Sequence, residues 1–211
     1  MASSTFKKVG IAVLVLVLLL GIGIGWMWHR ITALPSWYER GDMVAEDGQL
    51  RVDEAWVQVP DSEPPEGAPD EAQVYVLRNP HVRADSADGN PISKAIKQSR
   101  AAYAGGQLEA GAVLNLSDAD FESLDSNERE RYEQTIEAFP ALTERDVYVG
   151  VEGGVQERDG RVVLGPDAEL RVGDSRYSIA TAARRLGMSE AELRAAIEDE
   201  LAQLATELPD R

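Results

Sequence analysis

The spacing of apolar positions changes three times along the chain. From Val9 to Trp28 it reads VGIAVLVLVLLLGIGIGWMW, twenty residues without a charge. That length crosses the hydrocarbon core of a bilayer as a helix. The run is longer than a signal-peptide core and no Ala-x-Ala site follows, so an uncleaved anchor is expected over residues 9–28. Trp26, Trp28 and Arg30 close the run, and Trp37 and Tyr38 follow; amphipathic aromatics and a cation there are expected at the membrane interface. Gly21 and Gly25 stand four apart on one helix face, a spacing that lets two membrane helices approach and would allow a homodimer. Lys7 and Lys8 precede the span, so residues 1–8 are expected in the cytoplasm and everything after the span outside it.

Residues 29–72 read as a juxtamembrane segment and linker. Pro35 stops any helix continuing from the anchor. Leu50, Val52, Val57 and Val59 alternate in part, and Val57–Val59 predicts a short strand. DSEPPEGAPD at 61–70 is acidic and rich in Pro and Gly, which predicts a loop that buries nothing.

Periodic structure is expected over 73–211. Val74–Leu77 predicts a strand. Ile92–Tyr103 has helical composition, with Ile92, Ala95, Ile96 and Ser99 on one face, and Gly105-Gly106 is expected to end it. Ala112–Leu116 predicts a short strand. Ser117 reads as a helix cap, with Phe121, Leu124, Tyr132, Ile136 and Phe139 as anchors of a helical stretch broken near Ser126 and stopped at Pro140. Val147, Val149 and Val151 alternate. Asp159-Gly160 stands between two β-prone runs, the mark of a I′ hairpin, and a second hairpin turns near Gly173-Asp174. Two helices close the chain. The expected fold is α+β: an N-terminal transmembrane helix, then a small domain with an antiparallel β-meander and covering helices.

TAARRLGMSEAELRAAI at 181–197 has the spacing of a helix-turn-helix. Ser189 and Glu192 form a capping box, and Gly187 suits the C-terminal cap of the first helix. A DNA-reading helix needs a neutral or basic outer face. This one carries Glu190, Glu192, Glu198, Asp199 and Glu200 against Arg194. Leu193, Ile197, Leu201, Leu204 and Leu208 form one apolar stripe, facing a core or a partner. A helix–Gly–helix corner, and no nucleic-acid partner, is the expectation.

Charge sharpens this picture. The chain carries −16 overall. The part from Arg30 onward holds all 37 acidic residues and 19 of the 21 basic ones, a charge of −18. Such a surface repels nucleic acid and suits basic or cationic partners. Four lysines against seventeen arginines fit a GC-rich bacterial genome or a saline environment. There is no cysteine, hence no disulfide and no thiolate site. His29 and His81 have no helical partner for zinc, and neither a nucleophile elbow nor a phosphate loop is present. DSADGN at 85–90 lacks the twelfth-position glutamate of a calcium loop, and Asn115-Leu116-Ser117 matters only in a eukaryotic secretory path. No catalytic residue, metal site or cofactor is assigned.

The function expected is a non-enzymatic interaction or scaffold component of a bacterial envelope. It would be anchored in the inner membrane through residues 9–28 and docked on a membrane or envelope protein. The alternatives are an anchored module for a small apolar or cationic ligand held between the meander and the last helix, and an envelope enzyme using carboxylates.

Overall fold

The computed structural model describes residues 33–39, 43–45, 48–60, 62–80, 95–118, 126–138, 145–158, 161–204 and 208–209. The proposed anchor, with Gly21, Gly25, Trp26, Trp28 and Arg30, lies outside the described residues. Among the described residues no helix is long and apolar enough to cross a membrane.

The fold is α+β, built on one antiparallel sheet. Its strands are β1 (Val57–Gln58), β2 (Tyr75–Arg78), β3 (Ile96–Ala104), β4 (Gln107–Leu114), β5 (Val147–Arg158), β6 (Arg161–Leu164), β7 (Glu169–Val172) and β8 (Ser175–Ser178). They lie in the order β1-β2-β3-β4-β5-β7-β8, with β6 paired to the far half of β5. The helices are α1 (Ser36–Glu39), α2 (Ser126–Ala138), α3 (Ile179–Arg185) and α4 (Glu190–Leu204).

The meander forms as its turns dictate. Arg158 pairs with Arg161, so two residues close the β5–β6 hairpin, as Asp159-Gly160 predicts. Gly173, at φ 59°, takes the first central position of the β7–β8 turn. At Gly153 β5 changes partner: Val149–Glu152 pair with β7, Val155–Arg158 with β6. Gly153 has φ 140°, and a Cβ there would stand 2.7 Å from the Ala168 backbone, so this bend requires glycine.

Where a helix was expected over Ile92–Tyr103, the described part from Ile96 is strand β3, paired from Ile96 to Ala104 with all of β4; residues 92–94 lie outside the described residues. Gly105-Gly106, expected as a helix end, are the two central residues of that hairpin. Both have positive φ, as a I′ turn needs. Ser99 to Ala104 are buried on both faces, so no apolar–polar alternation marks the strand, and its alanines imitate a helix. The strand expected at Ala112–Leu116 begins earlier, at Gln107, and gives way to a 3₁₀ turn at Leu116–Asp118. The helix expected near Ser117 is described from Ser126.

One face of the sheet carries the helices. Leu77, Ala101, Tyr103, Leu108, Ala110 and Val151 meet Ile179, Ala182 and Ala183 of α3 and Leu193 and Leu201 of α4. Tyr132 and Ile136 of α2 pack beside Leu116, Val147 and Val172. The opposite face is covered by the N-terminal segment. Trp37 and Met43 pack on Val113 and Tyr148, while Val59, Ala68 and Ala72 pack on Val74, Val76 and Ala102. Residues 62–70 of the DSEPPEGAPD stretch therefore lie on the sheet, with Pro65 buried. Its prolines restrict the unfolded chain, which lowers the entropy cost of laying it down.

Candidate functional site

The covered polar face of the sheet is the place where charge collects. Pairing sets Arg100, Gly111, Gly150, Arg171 and Arg176 in one row across β3, β4, β5, β7 and β8. The neighbouring row reads Ala102, Glu109, Glu152, Glu169 and Ser178. Side chains of both rows point the same way, because each pair is two residues apart along its strand. Glu109 and Glu152 stand directly opposite one another, an unfavourable like-charge pair unless cations flank it.

The flanking cations are present. Arg100 Nη1 lies 3.9 Å from Glu109, and Arg171 Nη1 lies 3.9 Å from Glu109 and 4.0 Å from Glu152. Arg176 pairs with both Glu152 and Glu66. Charges thus alternate from Arg100 through Glu109, Arg171, Glu152 and Arg176 to Glu66. The other end closes on the same N-terminal segment: Arg100 Nη2 donates to Ser62 Oγ at 2.8 Å, and Ser36 Oγ donates to Glu63 Oε2 at 2.9 Å. Arg100 is 6% exposed and Glu152 10%, so the inner charges are held largely away from water, while Arg176 and Glu66 at the outer end are open to it.

Two glycines make the ring possible. A Cβ on Gly150 would stand 2.5 Å from Tyr148 Oη, and one on Gly111 2.7 Å from it. The Tyr148 ring therefore lies across the gap between the arginines. It is fully buried, donates from Oη to Glu109 Oε1 at 3.1 Å, and has the Arg171 guanidinium 5.1 Å from its centroid. Burial first, and the charge of Glu109 second, push its phenol well above its ordinary value.

The ring lines one side of a partly open cavity of about 440 Å³. Its floor is Arg100, Glu109, Glu152, Arg171 and Arg176, and its roof is Leu34 to Trp37 with Glu63, Pro64 and Glu66. A second cavity, of about 270 Å³, lies on the other face between the sheet and α4. It is lined mainly by apolar groups, among them Ala101, Ala110, Val149, Val151, Leu170 and Ile197. Among the described residues no group of three metal-ligating side chains is found. The first cavity presents carboxylates and guanidinium groups, and the second presents mainly apolar surface.

The residues singled out from sequence fall as follows. Trp37, expected at a lipid surface, is 4% exposed and roofs the charged cavity, edge-on to Tyr148 at 6.1 Å. Tyr38 donates to Asp146 Oδ2 at 3.0 Å, so both aromatics are held by the sheet. Leu193 and Leu201 are buried in the chain's own core, with Ile197 and Leu208 packed beside them. Leu204 ends α4, and its side chain lies outside the described set. The 181–197 segment forms the expected corner. Gly187 has φ 70°, Met188 N–H donates to Ala183 C=O at 3.0 Å, and Ser189 and Glu192 exchange capping bonds. Glu190, Glu192, Asp199 and Glu200 are exposed.

The charged ring was not singled out from sequence, because its members lie on five strands and share no short motif. The fold and site define an antiparallel α+β domain with a charge-ringed cavity roofed by its own N-terminal segment. Comparison with family models, with curated proteins and with solved structures found no match to this chain.

Proposed function

We propose that this is a single-pass membrane protein with residues 1–8 in the cytoplasm, residues 9–28 in the bilayer and the α+β domain outside. It serves as a non-enzymatic interaction component of a bacterial envelope. One observation carries the reading: the connection between apolar run and domain is short. Trp28 ends the uncharged run, and from Leu34 the chain already packs on the sheet through Pro35 and Trp37. The five peptide steps from Trp28 to Ala33 reach at most about 18 Å. A domain so tied presents a fixed orientation to its neighbours at the membrane surface. Trp26, Trp28 and Arg30 take the interface, and Gly21 with Gly25 brings two copies together. The acidic surface draws basic or cationic partners and repels nucleic acid.

The test uses the chain's lack of cysteine. Glu157→Cys, at an exposed position of the β5–β6 hairpin, is treated in intact cells with a membrane-impermeant maleimide. Labelling without lysis is expected. Protection that disappears on lysis puts the domain in the cytoplasm and ends this reading.

The apolar cavity between sheet and α4 favours a second reading, a module for a small apolar ligand. Its size approaches that of ordinary ligand pockets, about 300 Å³ and upward. An apolar mass retained by the intact chain in native mass spectrometry would favour it.

A further inference from the structure

The apolar cavity beside α4 follows from a step in the sheet. Register sets Ser99, Ala112 and Val149 in one row and Ala101, Ala110, Val151 and Leu170 in the next. The residues from β3 and β4 are small, and those from β5 and β7 are large. Over the small ones the space below α4 is not filled by the sheet, and about 270 Å³ remains. Arg100 also lines the cavity, but its guanidinium lies on the opposite face with Glu109 and Ser62 and brings no positive charge here.

The charge at this cavity comes from Glu200. Ile197, Glu200 and Leu201 stand three and four residues apart on one face of α4, and all three line it. The neighbouring acids are engaged elsewhere: Glu198 accepts from Leu164 N–H, and Asp199 pairs with Arg161. Glu200 is exposed and has no hydrogen-bond or ion-pair partner among the described residues. The last turn of α4, next to it, holds no basic residue, although the helix dipole favours a cation there.

An anionic guest would meet Glu200 on a chain that already carries −16. A neutral apolar guest gains burial and leaves the carboxylate unused. A guest with an apolar body and one positive end gains both. We propose that the cavity binds a small amphiphilic cation of the alkylammonium class, its chain laid over Ala101 and Ala110 and its head paired with Glu200. The proposal rests on the cavity being an apolar-ligand site and adds what the head of that ligand must be.

The test places the full-length chain in nanodiscs of zwitterionic lipid and does not depend on its orientation. Binding of hexylammonium, hexanol and hexanoate is measured by isothermal calorimetry, with the heat of empty nanodiscs subtracted. Hexylammonium is expected to bind about threefold to fivefold more tightly than hexanol, as an exposed ion pair allows, and hexanoate more weakly than either. Glu200→Gln, at an exposed position without a partner, should bring hexylammonium down to the level of hexanol and leave hexanol unchanged. Ala112→Leu, at a half-buried position of the floor, should weaken both. Should it fail to fold, the ligand series and Glu200→Gln still decide the matter. Equal binding of hexylammonium and hexanol overturns the cationic head and leaves the apolar site standing. A preference that survives Glu200→Gln assigns the attraction to the acidic surface at large and also overturns the proposal. Binding of none of the three ends the apolar site as well.

Discussion

Tyr148 shows how much one residue settles. Its ring fills the space that Gly111 and Gly150 leave open, and its hydroxyl steadies Glu109, which sits opposite another carboxylate. Tyr148→Phe keeps the ring and removes the donor. A hydrogen bond to a charged group contributes about 1.5–3 kcal/mol, so urea denaturation near neutral pH should show a loss of that order. The pH dependence follows from the direction of the shift. The phenol is raised in the fold, by burial and then by Glu109, while the unfolded chain ionises near 10.0. The folded state therefore holds its proton where the unfolded state has lost it. Stability is full below that value and declines as pH rises towards the folded one. Tyr38 is shifted the same way, by burial and by Asp146, and is common to both proteins. The gap between wild type and Tyr148→Phe should thus narrow between pH 8 and about pH 10.5. A gap that stays constant would mean the phenol is not held neutral by this site.

At the scale of the element, the corner between α3 and α4 and the strand β3 make opposite cases. The corner rests on local bonds, and its signals are local in sequence. Gly187 sits at φ 70° with open space where a Cβ would go. Gly187→Ala should therefore cost backbone strain alone, about 1–2 kcal/mol. Leu201, buried in the core, leaves a cavity when truncated, and Leu201→Ala should cost about 2–5 kcal/mol. Thermal denaturation that ranks the two the other way would show that α4 is not anchored through its apolar stripe. The β5–β8 meander was legible for the same reason as the corner, since Asp159-Gly160 and Gly173 are turn residues beside alternating valines. Strand β3 was not legible. Its sequence, IKQSRAAYA, has high helix propensity, and partners on both sides override it. The N-terminal segment was misread for a similar reason: its few apolar side chains gain a partner only once the sheet exists. Arg194, which donates to the carbonyls of Leu164 and Gly165, and Glu198, which accepts from Leu164 N–H, tie α4 to β6 in the same non-local way. They thereby cover an edge strand that would otherwise be open to pairing.

At the scale of the whole molecule, the charged site was hidden because register, not spacing, assembles it. Arg100, Glu109, Glu152, Arg171 and Arg176 become neighbours only when β3, β4, β5, β7 and β8 are aligned. The acidic total was legible, and the two together set a contest that salt can decide. The ring is attractive, short-ranged and mostly buried, so added salt weakens it little. The chain's −16 is repulsive and spread over an exposed surface, where screening acts within about 10 Å at 0.1 M salt. Relief of repulsion should therefore win. The melting temperature of the full-length chain should rise from low salt to about 0.15 M, by about 2–4 °C for each kcal/mol gained at this size. Tyr148→Phe should gain as much as wild type, because the surface charge is the same. A melting temperature that falls with salt, and falls less once Arg176→Gln has opened the ring, would reverse the order: the ring, not the surface, would then set the stability of the domain.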